Sequence, residues 1–308
     1  MKSRILENLR KNEGPVSGQA LSEQLGISRV SIWKHIQQLQ AFGYDIISSA
    51  KGYRLKSSPD VPYPWEFTGR ESKIIYHEQL SSTMEVAKQL ARKGCADFTT
   101  VIAGRQTSGR GRLNRQWFSD EGGLYFTMVL RPDLPPVFSF RVGFLASLTL
   151  ARLLNQIFKI EVRVKWPNDL LVNERKICGM LSELEAEADR VAFINMGIGL
   201  NVNNDPSPIE PTATSLKMIL GHNVSKKEIL FRYLDLFETQ MQSAAYDDVI
   251  EQWKQYTVTL NRHVRVVTTR DVFTGKAIDV DETGALVLKC SDGSLKTIHY
   301  GDCFHQSH

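Results

Sequence analysis

The chain has 308 residues, 42% hydrophobic and 23% charged, which excludes a disordered or fibrous protein and exceeds what one core holds, roughly 250–300 residues. Its four cysteines (Cys95, Cys178, Cys290, Cys303) form no CxxC pair, which argues against a zinc cluster or disulfide framework. No apolar run reads as reaching the roughly 18–20 residues of a membrane helix, and the N-terminus lacks a secretory core, so the expected location is cytoplasmic.

Net charge is +4, unevenly placed: residues 1–58 hold nine Lys/Arg against four Asp/Glu, a surplus of +5 that leaves the remainder at −1. A compact basic segment ahead of a near-neutral body suits phosphate binding; a solvated charged face is the plainer alternative. Ile5 and Leu9 suit a short first helix. Ser17–Leu25 reads as a second, ended by Gly26. Ser28 can cap a third, in which Ile32, Ile36 and Leu39 share one face. That leaves Arg29, Ser31, Lys34, His35 and Gln38 on other faces, with Trp33 read as packing. Helix, glycine turn and capped helix is the helix-turn-helix plan, whose second helix enters the major groove of DNA. Residues 44–48 and 52–55 read as a wing that lays Lys51 and Arg54 along a phosphate backbone. The competing reading is a small helical interaction domain. Three prolines in 59–64 mark a stiff linker between a domain at 1–58 and one at 65–260.

Strands and helices alternate in the central segment. Strands are expected near 72–77, 99–103, 124–130, 162–166, 170–173, 179–184 and 191–196, and helices over 85–93, 143–158 and 226–241. Hairpin links favour an α/β fold on a mixed sheet over a doubly wound one. Three stretches combine glycine with dense polarity. In 104–117 (GRQTSGRGRLNRQW), Gly109 and Gly111 let backbone N–H groups approach an anion while Arg110, Arg112 and Arg115 add charge, which suits a phosphate or a carboxylate. In 164–179, Lys165 stands beside Asn168 and Asp169, followed by Lys176 and Gly179. In 195–204, Gly197 and Gly199 recur at strand period, which weakens a strand unless something flat lies against it. Beyond 261, short strands at 264–267, 275–280, 284–289 and 295–300 suggest a small β-barrel over 261–308.

Taken together and in order, SSTM, QTSGRGRLNRQW, KWPNDLLVNERKICG and NMGIGLNVNN resemble the bacterial biotin protein ligases, and the helix-turn-helix with GYRL resembles their bifunctional, DNA-binding subclass. The resemblance implies a winged helix-turn-helix, a class II synthetase-like catalytic domain and an SH3-like C-terminal domain. It implies biotinyl-AMP formation from biotin and ATP with Mg²⁺, then transfer to a lysine of a biotin carboxyl carrier domain. It also implies biotin-responsive repression through operator DNA and a ligand-favoured homodimer. By the same resemblance Arg112, Lys176, Arg110 and Lys165 carry the chemistry. Ser82, Thr83, Met84, Gln106, Arg110, Gly111, Arg112, Lys176, Gly179, Gly197 and Gly199 hold biotin or its adenylate. Asn168, Asp169 and Asn201 face the nucleotide and Mg²⁺, with no permanent metal site. DNA contacts are assigned to Ser28, Arg29, Ser31, Lys34, His35, Gln38, Lys51 and Arg54. Met84 departs from the asparagine frequent in the family, and Leu113-Asn114 from a more basic or glycine-bearing pair. A lipoate-type ligase and a non-catalytic sensing regulator are the competing functions.

Overall fold

The computed structural model describes residues 1–243 and 248–306. The chain divides into two units, Met1–Ile74 and Ile75–His308.

In the first unit, helices α1 (Lys2–Lys11), α2 (Gly18–Leu25) and α3 (Arg29–Ala41) precede a hairpin of β1 (Asp45–Ser49) and β2 (Gly52–Ser57). Ser17 caps α2 by accepting from Ala20 N, and Gly26 ends it in the left-handed region. Ile5, Leu6, Leu9, Leu21, Leu25, Ile32, Ile36 and Leu39 make the core. The hairpin is tied to the α1–α2 link by reciprocal Val16–Tyr53 backbone bonds of 2.8 and 2.9 Å. A Cβ at Gly52 (φ +124°) would stand 2.2 Å from the Val16 carbonyl, so only glycine fits. Residues past the hairpin pack on this unit as well. Trp65 stacks on Tyr63 and donates to the Tyr44 hydroxyl at 2.9 Å, and Arg10 forks onto Glu66.

The second unit opens with β3 (Ile74–Leu80), α4 (Thr83–Arg92), β4 (Thr99–Gln106), β5 (Leu124–Leu130) and α5 (Phe140–Phe158). It continues with β6 (Val162–Lys165), β7 (Asp169–Val172), β8 (Arg175–Glu187), β9 (Arg190–Leu200), α6 (Leu216–Leu220), α7 (Lys226–Gln242) and α8 (Val249–Tyr256). The strands form one sheet in the order β3-β4-β5-β9-β8-β7-β6. Pairs from β4 to β6 are antiparallel. Beyond β3 and β4 the bonds Thr107 N–Leu80 O and Ser108 N–Ser81 O advance in the same direction along both segments, so the sheet is mixed. α5, α7 and α8 pack together on one face, and α4 covers β4, β5 and β9 on the other. Contrary to the sequence reading, one helix, with the turn before it (Pro136–Phe158), is long and apolar enough to cross a membrane. Its window is 61% buried inside the fold, which is how a core helix passes the same test. α6 and α8 were not anticipated.

The C-terminal strands β10 (His263–Val267), β11 (Val272–Val280), β12 (Leu286–Lys289), β13 (Leu295–Ile298) and β14 (Asp302–His305) form an antiparallel sheet in the order β13-β12-β11-β10-β14. β14, which sequence reasoning missed, lies beside β10 with Val266 opposite Cys303.

Candidate active site

One cleft in the second unit gathers side chains from β3–α4, the basic loop, β6–β9 and β14. Its floor is glycine. Gly179 on β8 stands opposite Gly199 on β9, and Gly197 stands opposite Leu181. A Cβ on Gly199 would meet Trp117 Nε1 at 2.4 Å, one on Gly179 would meet Trp117 Cζ3 at 2.9 Å, and one on Gly197 would meet Met84 Sδ at 2.6 Å. The flat group demanded by glycines in a strand is thus partly the chain's own: Trp117 crosses the floor and Met84 closes its inner end. Met84 is buried and contributes packing where the family's asparagine would offer an amide.

The inner wall is a hydrogen-bonded polar chain. Thr83 donates to Gln106 Oε1 from its backbone N (2.8 Å) and hydroxyl (3.1 Å). Gln106 donates to Ser119 at 2.8 Å, and Thr127 donates to Thr83 at 2.8 Å. Ser82 stands at the N-cap of α4, yet its hydroxyl caps nothing; though buried, it has no hydrogen-bond partner among the described residues. A buried hydroxyl left open at a cleft suits a polar ligand group.

The outer end is cationic. Lys176 Nζ lies 2.7 Å from Asp169 and 5.2 Å from the Trp117 ring centre. Arg112 donates to the Gly301 carbonyl (3.1 Å) and Asn168 (3.3 Å). Burial lowers its pKa, opposed by Asp302 and Asp169, and it stays a cation. Lys165 stands opposite Asp169 at the strand ends and lines the cleft, as does Asn201, whose carbonyl accepts from Asn204. Burial pushes the Cys303 thiol up to about 12, with Lys165 pulling the other way, so this cleft cysteine is an inert thiol at neutral pH.

The loop is a small hairpin of its own, with Gly111 N bonded to Arg115 O and Trp117 N to Gly109 O. Arg110 lines the cleft but is held between Glu85 and Glu183 (2.8 Å to the latter), so its charge is matched by protein carboxylates and it anchors the loop. Arg115 pairs with Asp302 at 2.6 Å and leans on Phe304. These partners, with Trp117 as a wall, were missing from the sequence reading. A second tie joins the β7–β8 turn to the C-terminal sheet: Arg262 forks onto Glu174, whose carboxyl it holds below the usual range.

The residues assigned to DNA lie in the other unit. Arg29, Lys34, Gln38, Lys51 and Arg54 are exposed. Ser28 and Ser31 are occupied with each other, Ser28 accepting from Ser31 N at 3.2 Å as the α3 cap. His35 is turned half inward, and burial, with help from Lys2, lowers its pKa. Trp33, read as packing, is exposed instead.

The profile of the biotin/lipoate A/B protein ligase family matches residues 76–201, flanked by an HTH domain at 2–54 and a biotin protein ligase C-terminal domain at 259–306. The bifunctional ligase/repressor BirA of Bacillus subtilis is 33% identical over 302 residues, 93% of each chain. The chain belongs to the bifunctional biotin ligase/repressor family. BirA of Escherichia coli K12 is 30% identical, over 91% of this chain and 89% of that one. Among solved structures, the biotin protein ligase from Aquifex aeolicus in complex with biotin and ATP aligns at a TM-score of 0.64 and 29% identity, over 76% of this chain and 99% of that chain. The α/β catalytic fold with its added N-terminal and C-terminal domains is the one the motifs pointed to.

Proposed function

We propose that this chain condenses biotin with ATP, transfers the biotinyl group to a lysine of a biotin carboxyl carrier domain, and represses transcription through its N-terminal unit. The observation that carries the reading is the single cleft in which a polar inner wall, a glycine floor and the Lys176–Arg112 pair meet. Ser82, Thr83 and Gln106 orient the uncharged ring of biotin. The floor admits its chain against backbone. In the first step a biotin carboxylate oxygen attacks the α-phosphorus of ATP, the bond to the bridging oxygen breaks, and pyrophosphate leaves. Two anions must meet, and Lys176 and Arg112 supply fixed positive charge where they do. In the second step the acceptor amine attacks the acyl carbon, AMP departs with the bonding pair, and the amine loses a proton. Neither step needs a protein nucleophile.

Mg²⁺ would arrive with ATP. Magnesium is commonly held by one or two carboxylates plus substrate phosphates, and the donors here, Asp169 with Asn168 and Asn201, fit that use. It would neutralise phosphate charge, while Asp169 keeps Lys176 in place until an anion competes for it. Arg110 and Gly111 hold the loop, Gly111 through its N–H to the Arg115 carbonyl, and Lys165 adds peripheral charge. We further propose a cytoplasmic protein whose adenylate-loaded form dimerises and binds operator DNA, the adenylate favouring the dimer by binding it more tightly. Incubation with biotin, MgATP and a carrier domain, read by mass, tests the ligase. Biotinylation that outcompetes lipoate supports it, and an unmodified carrier overturns it.

A further inference from the structure

α3 buries Ile32, Ile36 and Leu39 completely, and its opposite face is not simply polar. Val30 is 62% exposed and Trp33 52%. At about 100° per residue these two and Gln37 fall within roughly 60° of one another, Val30 and Gln37 on the side away from the core and Trp33 at its border, exposed all the same. Isolated exposed apolar residues are ordinary, but here two neighbours share the solvent face of a capped helix in helix-turn-helix geometry. Arg29 and Lys34 flank them, and Lys51 and Arg54 stand exposed on the wing of the same unit.

We infer that Val30 and Trp33 are specificity residues that read thymine 5-methyl groups in the major groove of duplex DNA. The thymine methyl is the apolar feature of that groove, and small or flat apolar side chains are its complement. Gln37 on the same face offers the carboxamide that suits the partner adenine. The basic flank selects the occupant: it complements phosphates and would repel the like-charged face of a second copy. His35 is turned half inward and Ser28 and Ser31 are tied up in the cap, so apolar contact takes the place of three of the polar readers first assigned to this helix. This rests on the DNA-binding function proposed above and extends it to how sequence is discriminated.

The test selects duplexes from a random DNA library with the full chain, biotin and MgATP, then replaces each thymine of the selected half-site by deoxyuridine, which lacks only the methyl. Wild-type affinity should fall about fourfold at one or two positions, the factor for one lost buried methyl. Val30→Ser and Trp33→Ala, with unchanged thermal melts, should each bind the thymine duplex more weakly and lose sensitivity at one such position. Selection of a sequence whose affinity ignores deoxyuridine, or variants as sensitive as wild type, would overturn the inference alone. If no duplex is selected, the repressor function falls with it. A dimer that Trp33→Ala dissociates without DNA would show this face to be a protein interface and also overturn it.

Discussion

The floor and the lid of the cleft are built in opposite ways. The floor is β8 and β9, paired along their length by backbone ladders, and it works because three positions carry no side chain. The lid is the hairpin around 109–117, held by side chains: Arg110 to Glu85 and Glu183, Arg112 to Gly301, and Arg115 to Asp302. A floor of this kind is rigid, and a change to it should abolish binding. A hairpin held by partly exposed ion pairs opens at little cost, and a change to its Arg110 or Arg115 anchors should alter retention of the intermediate more than its formation, whereas Arg112 is also asked to serve the first step.

Gly199→Val should have the largest effect. Its side chain would displace Trp117, whose Nε1 stands 2.4 Å from the position of a Cβ there, and so crowd the floor of the cleft; biotin binding by calorimetry should vanish while the circular dichroism spectrum stays native. Retained binding would show that the floor is not where the ligand lies. Lys176→Ala comes next. Loss of one well-placed transition-state donor costs on the order of 3–4 kcal/mol, so biotin-dependent ATP–pyrophosphate exchange should drop at least about a hundredfold. Asp302→Ala frees Arg115 from an ion pair whose cation is 59% exposed. A contribution of about 0–1 kcal/mol predicts up to about fivefold faster proteolysis within the loop, with exchange nearly unchanged. Biotin with MgATP should restore protection.

The smallest effect concerns the tie between Arg262 and Glu174. The Arg262 hydrogen bonds lower the Glu174 pKa, so the folded state binds that proton less readily than the unfolded chain, near 4.5. The contribution is therefore present above about pH 4.5 and lost as pH falls through the lower folded value. Glu174→Gln should flatten the acid limb of a plot of urea midpoint against pH. An unchanged limb would show the pair to be idle.

Periodicity explains what could be read in advance. β5 is apolar at nearly every position because both its faces are covered, and its limits were read correctly from that run. The helix-turn-helix carries caps and a left-handed glycine at fixed offsets, so it too was legible. The glycines of β9 announced a flat neighbour without saying which, since Trp117 reaches them only through the fold. A cation does not reveal its partner from sequence: nothing near Arg110 in the chain points to Glu183, which lies far along the chain on β8 and meets it only through the fold. β14 escaped because Asp-Cys-Phe-His shows no alternation, and Gly301, at φ +145° before it, reads as loop. Trp33 was read as packing, and its i,i+3 relation to Ile36 places it at the border of the buried face, where phase alone does not decide between core and solvent; it is exposed.

A crystal grown with biotin and MgATP tests the central claim most directly. The account predicts one biotinyl-adenylate along the cleft, its ring among Ser82, Thr83 and Gln106, its chain over Gly179, Gly197 and Gly199, and its phosphoryl group on Lys176 and Arg112. An adenylate seated elsewhere, or one that leaves Lys176 on Asp169 and touches neither cation, would contradict it.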